Sequence, residues 1–232
     1  MHICKNSLPL VLIFLLTSCG RPVWVKEDFE AIRYNVKTIS VMPPQTECYE
    51  RMAGGTEPNP ELNSKVSRRL KNALNKVLEE EGFVMKDANL SDSILIKNQD
   101  LALSFTRLQT RFDAICDSIG KLKIKKETYK TDPEIGMFAD HTGADYLLFS
   151  RGKAYKSSEA SKEMEALSFI RFGTPMQLSE GLILELALFD ANTAEAIWYN
   201  GNLEAAGLDP LRVLELMKHC KNLLNEKFLE KK

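Results

Sequence analysis

The chain has 232 residues, 44% of them hydrophobic and 27% charged, with 31 basic against 32 acidic side chains. This is enough sequence for one domain with a proper core. The near-neutral charge argues against a nucleic-acid partner.

The first residues carry a single Lys5, then an apolar run from Leu8 to Leu16 broken by Pro9. A basic start followed by a short apolar core reads as a secretory signal. The run is too short to span a bilayer, which takes about 20 apolar residues. Leu16-Thr17-Ser18-Cys19 then resembles the bacterial lipobox. The resemblance implies cleavage before Cys19, a diacylglycerol on its sulfur and an acylated amine. Two or more chains are what stable anchoring requires. Gly20, rather than Asp, follows the cysteine. In Gram-negative lipoproteins this implies the periplasmic face of the outer membrane. The expected organisation is a signal peptide over 1–18, a lipidated tether over 19–36 and one α/β domain over 37–232. An ordinary signal cut by the general signal peptidase is the alternative.

In chain order, residues 20–35 lead into the domain and lack Gly/Ser repeats, which favours packing over flexing. Lys37–Met42 reads as a short strand closed by Pro43-Pro44. Residues 45–60 read as a loop. Asn59-Pro60 reads as N-cap and first residue of a helix. Leu62, Val66, Leu70, Leu74, Val77 and Leu78 then recur at helical spacing to about Glu81, and Gly82 stops the helix. Phe83-Val84-Met85 begins a second strand. A second helix covers about Asp100–Ile119, with Cys116 beside its apolar stripe. Lys121–Lys126 is basic. It is either an exposed edge whose lysines deter pairing or a patch for anionic headgroups or cell-wall polymer. A third helix covers about Pro133–Thr142.

Gly143 ends that helix, and Ala144–Tyr155 reads as a strand. Its Tyr146-Leu147-Leu148-Phe149 run suits burial on both faces. Residues 156–177 read as a long connection. Leu182–Phe189 and Ala196–Leu203 form a hairpin around Asp190-Ala191-Asn192-Thr193. Asp209-Pro210 caps a last helix to about Phe228. The expected fold is α/β, a mixed sheet of about five strands flanked by helices, with the C-terminal helix packed on it.

Four stretches carry a further resemblance: Ile39-Ser40-Val41-Met42-Pro43-Pro44, Gly82-Phe83, Gly143-Ala144-Asp145-Tyr146-Leu147-Leu148, and Leu186–Asp190 with Ala194–Trp198. Together they resemble the α/β domain of envelope proteins similar to the TolB N-terminal domain and the curli-secretion lipoprotein CsgG. Ala194 stands where that group has a hairpin glycine. The resemblance implies an assembly or docking module and carries over no catalytic residue.

No catalytic, metal or cofactor motif is legible. His141 lies near Asp140 and Asp145, an arrangement that suits acid/base work or a ring meeting the last carbonyls of a helix. His219 and Cys220 are adjacent on a helix and point about 100° apart, so they form no nucleophile pair. Cys48, in the expected loop, should be the readiest of three mature-domain thiols to react. Cys116 and Cys220 should be buried and reduced.

The connection carries the remaining signal. Met164, Leu167, Phe169, Ile170, Phe172, Met176 and Leu178 are a heavy apolar load for a loop. Phe169, Ile170, Phe172 and Met176 are therefore the candidate partner-binding flap, the alternative being a lid on the domain's own sheet. The expected function is non-enzymatic. It is docking or assembly in an envelope complex, with the membrane and a protein as partners and a homo-oligomer possible. The alternatives are a secretion or pore subunit resembling CsgG, with a membrane hairpin from 156–177, and a small-ligand-binding envelope protein.

Overall fold

A computed structural model describes residues 23–52, 55–88, 90, 92–120, 140–172, 180–192, 195–201 and 208–229. The expected third helix, up to residue 139, and the Lys121–Lys126 stretch lie outside them.

The chain enters through β1 (Trp24–Val25) and a short helix α1 (Phe29–Arg33). β1 pairs with a strand near the C-terminus, and Phe29 is buried in the core. From Trp24 on, the expected tether is thus packed. β2 (Thr38–Val41) follows and then β3 (Gln45–Met52) and β4 (Gly55–Pro58), a hairpin where the sequence suggests a loop. As expected, β2 closes before Pro43-Pro44, but a new strand follows directly after them. Val41 lies opposite Leu148, but Gln45 lies opposite Arg151, so one extra residue is taken up between them. This is a bulge, the place where a sheet tolerates residues that cannot donate an N–H. β2 and β3 act as one interrupted strand running parallel to the same neighbour.

Helix α2 (Pro60–Glu80) begins as expected. The Asn59 side chain accepts from the Leu62 N–H at 2.8 Å, and Pro60 occupies the first helical position. Gly82 and Gly143 both take positive φ, +92° and +63°, which glycine adopts at least cost when a chain leaves a helix. Asn59→Ala is expected to cost about 1 kcal/mol, measured by urea unfolding, because it orphans a first-turn N–H.

β5 (Val84–Lys86) lies beside β2. Helices α3 (Asp92–Lys97) and α4 (Gln99–Gly120) come next. β6 (Tyr146–Ser157) is the central strand. It pairs with β2 in its first half and β3 in its second, on one side, and with β7 (Gly181–Asp190) on the other. β8 (Glu195–Gly201) completes the meander and pairs with β1. Eight strands are present among the described residues, more than the five expected. The mixed α/β class holds.

Two cores flank the sheet. On one face α2 and the C-terminal helix α6 (Val213–Leu224) cover Leu148, Leu182, Leu184, Leu186, Leu188 and Trp198. On the other, α4 covers Leu147, Phe149, Ala187, Phe189 and Tyr199. Alternate residues of β6 therefore serve both cores, as its unbroken apolar run requires. Trp198 sits in the interior, fully buried, with its indole N–H donating to the Glu226 carbonyl at 3.1 Å. Asp209-Pro210 forms a turn and not the helix cap. Asp209 Oδ1 accepts from the Leu211 N–H at 2.9 Å, and α6 starts at Val213.

Candidate docking surface

The second half of β6 leads to the end of the sheet that bears the candidate site. Residues 156–177 are not a loop. β6 runs on to Ser157, and helix α5 spans Glu159–Phe172. Ser158 starts it, its hydroxyl accepting from the Ser161 N–H at 3.1 Å. An N-cap serine holds an otherwise orphaned donor in this way. The helix is pinned at its base. The Ser158 N–H and the Ser161 hydroxyl both donate to the Arg51 carbonyl at the end of β3, at 3.0 and 2.8 Å. Lys162 pairs with Glu159 at 3.2 Å and with Glu180, before β7, at 3.4 Å.

Past the base, α5 presents apolar side chains to water. Met164 is 44% exposed, Leu167 63% and Ile170 79%. Their i, i+3, i+6 spacing keeps them on one side of the helix. Of the expected flap residues, Ile170 is thus on the surface. Phe169 and Phe172 belong to α5, but their side chains are outside the described set, as is Met176 altogether. The start of α6 is close by. Lys156 approaches Asp209 at 3.9 Å, and Glu159 and Leu211 line one small cleft of about 180 Å³. Leu214, just beyond, is 81% exposed and Val213 37%.

A larger cleft of about 670 Å³ opens on the α4 face, lined by Arg151, Lys153, Glu47, Asp113, Asp117 and Glu185 among others. Arg151 is saturated. Its guanidinium donates to Asp113 at 3.1 Å, to Asp117 at 2.8 Å and to Glu185. Tyr199 donates its hydroxyl to the other Glu185 oxygen at 2.5 Å. Burial works against the arginine's charge, but the Glu185 and Asp117 carboxylates outweigh it and hold its pKa above normal. Burial, with Glu185 adding to it, pushes the Tyr199 hydroxyl well up. The cleft presents a strongly held cation.

The remaining chemical candidates lie apart from this cleft or are buried. Asp145 accepts from the Thr38 hydroxyl at 2.5 Å, which ties the start of β6 to β2, while His141 is exposed. Cys48 is 3% exposed, contrary to expectation, because it is an inward residue of β3. Burial pushes its pKa up to about 12, does the same for Cys220, and drives Cys116 up as well. Cys116 and Cys220 lie in the two different cores, on opposite faces of the sheet, and are free. Native protein is expected to react with an alkylating reagent at none of the three within the time that urea-unfolded protein reacts at all of them, as read by mass spectrometry. Rapid native labelling of Cys48 would contradict its placement.

No family model and no curated protein matches the sequence. Solved structures do. A PelC dodecamer from Paraburkholderia phytofirmans matches at 9% identity and TM-score 0.38, over 84% of this chain and 88% of that one. Lipoprotein GNA1162 from Neisseria meningitidis matches at 13% identity and TM-score 0.41, over 82% and 97%. The LpoB C-terminal domain from Salmonella enterica matches at 13% identity and TM-score 0.29, over 72% and 80%. At these scores the likenesses carry no residue-level correspondence to this chain. None of the three is a TolB or CsgG protein, so that finer resemblance rests on the short motifs alone.

Proposed function

We propose that this chain is a lipid-anchored, non-enzymatic protein of the bacterial envelope. Acyl chains on Cys19 hold it at the periplasmic face of the outer membrane, and its α/β domain is a docking or assembly module with α5 as its contact element. The observation that carries this reading is the exposure of Met164, Leu167 and Ile170 on a helix pinned at its base. Burying each such side chain is worth about 1.5–3 kcal/mol, so a cluster left in water marks a surface that something covers. The pore-type alternative drew its membrane strands from residues 156–177, which are helical over Glu159–Phe172.

The test is a paired substitution, Leu167→Asp with Ile170→Asp. Stability is expected to change by no more than about 0.5 kcal/mol, as for ordinary surface sites. A photo-crosslinker at Met164 is expected to lose the contacts that it makes in cells with the unsubstituted helix. A stability loss of several kcal/mol would make α5 a lid on its own core and reject it as a docking element.

A further inference from the structure

The N-terminal end of β1 and the start of α5 face the same end of the sheet. Trp24 lies opposite Tyr199, Tyr199 opposite Ala187, and Ala187 opposite Phe149, so β1 sits level with the middle of β6. β1 is antiparallel to β8. The N-terminal end of β1 therefore points toward Gly201, Glu185 and the second half of β6. Trp24 is five residue steps from Cys19, a reach of at most about 18 Å. The same distance along β6, counted from Phe149, arrives at about Ala154. α5 leaves the sheet only a few residues farther on, after Ser158.

We infer that this end of the sheet rests on the lipid surface, with Met164, Leu167 and Ile170 of α5 and Val213 and Leu214 of α6 dipping into the headgroup region. The inference rests on the proposed acylation of Cys19 and on α5 being a contact element, and it names the bilayer as what α5 contacts. A linker this short keeps the domain from standing away from its anchor. The apolar side chains nearest the anchor's end are then the ones that meet lipid. Among the described residues, basic side chains at this end are paired. Lys65 pairs with Glu61, Lys162 with Glu159 and Arg212 with Glu215. The contact is apolar insertion, which needs no anionic lipid.

Full-length acylated protein, reconstituted in phosphatidylcholine vesicles with or without anionic lipid, provides the test. Single variants Ile170→Cys, Leu214→Cys, Val84→Cys and Ile96→Cys would each carry a polarity-sensitive fluorophore. All four positions are exposed, and the native Cys48, Cys116 and Cys220 are buried and stay unlabelled. Val84, opposite Thr38, marks the other end of the sheet. Bromolipids are expected to quench the probes at 170 and 214 about twofold, with or without anionic lipid, and to leave those at 84 and 96 unchanged. Equal quenching at all four positions, or none at 170 and 214, would overturn the inference. Absent quenching at 170 combined with a protein crosslink from Met164 in cells would overturn the lipid assignment and leave α5 as a protein-docking helix.

Discussion

Replacing Arg151 with methionine is expected to destabilise the folded domain by about 3 kcal/mol, the scale of removing one partner from a buried ion pair. The loss centres on Glu185. Its side chain is 13% exposed and is held by Arg151 and by the Tyr199 hydroxyl. Without the guanidinium a mostly buried carboxylate at the cleft wall keeps only the Tyr199 hydroxyl as its partner there. Asp113 and Asp117 contribute little, since each is about half exposed and water replaces the lost partner. The second arm of the measurement removes the stranded charge. Arg151→Met with Glu185→Gln is expected to be more stable than Arg151→Met alone, a coupling that a double-mutant cycle reads directly. Urea unfolding of the four proteins supplies the numbers. Additive losses would contradict the network as described.

Replacing Cys19 with alanine is expected to abolish acylation altogether. In the proposed modification the diacylglycerol is carried by the Cys19 sulfur, the one thiol in the lipobox-like Leu16-Thr17-Ser18-Cys19. Cells fed a fatty-acid probe are expected to label the wild type and leave the variant blank. The variant should also leave the membrane fraction. Its exposed apolar residues alone supply too little burial to replace two or more acyl chains, each worth about 0.8 kcal/mol per buried CH₂. Equal labelling of the two proteins would contradict lipidation at Cys19.

Local signals show which parts of the fold are legible in the sequence. Asn59-Pro60 announces α2 because cap and first-turn chemistry are carried by adjacent residues. Tyr146–Phe149 announces a doubly covered strand because its apolar run has no solvent-facing gap. β3 is harder to read. Pro43-Pro44 signals an end, and only the partner strand shows that the prolines fill a bulge, after which Gln45–Met52 continues along β6. The burial of Cys48 follows from that strand and is invisible without it. α5 escapes for a different reason. Met164, Leu167 and Ile170 share one side, but the apolar positions of the 159–172 sequence as a whole follow no single stripe, so periodicity gives no helical signature. The same composition is what singled the segment out as a contact surface. The Arg151 network has no local signal at all, since Asp113, Asp117, Arg151, Glu185 and Tyr199 meet only through the sheet register and the packing of α4.

The central claim is that this domain is a lipid-anchored module whose contact element is α5. A photo-crosslinker placed at Ile170 in living cells tests it most directly, compared with one at Ile96 on α3 and with both repeated in the Cys19→Ala background. Both positions are nearly as exposed as each other, at 79% and 78%, so exposure alone does not separate them. The account predicts discrete adducts from Ile170 in the anchored protein, to lipid or to a protein partner. It predicts none of these adducts from Ile96, and their loss from Ile170 when Cys19 is replaced. Identical patterns from the two positions, or adducts at Ile170 that persist unchanged without the anchor, would contradict it.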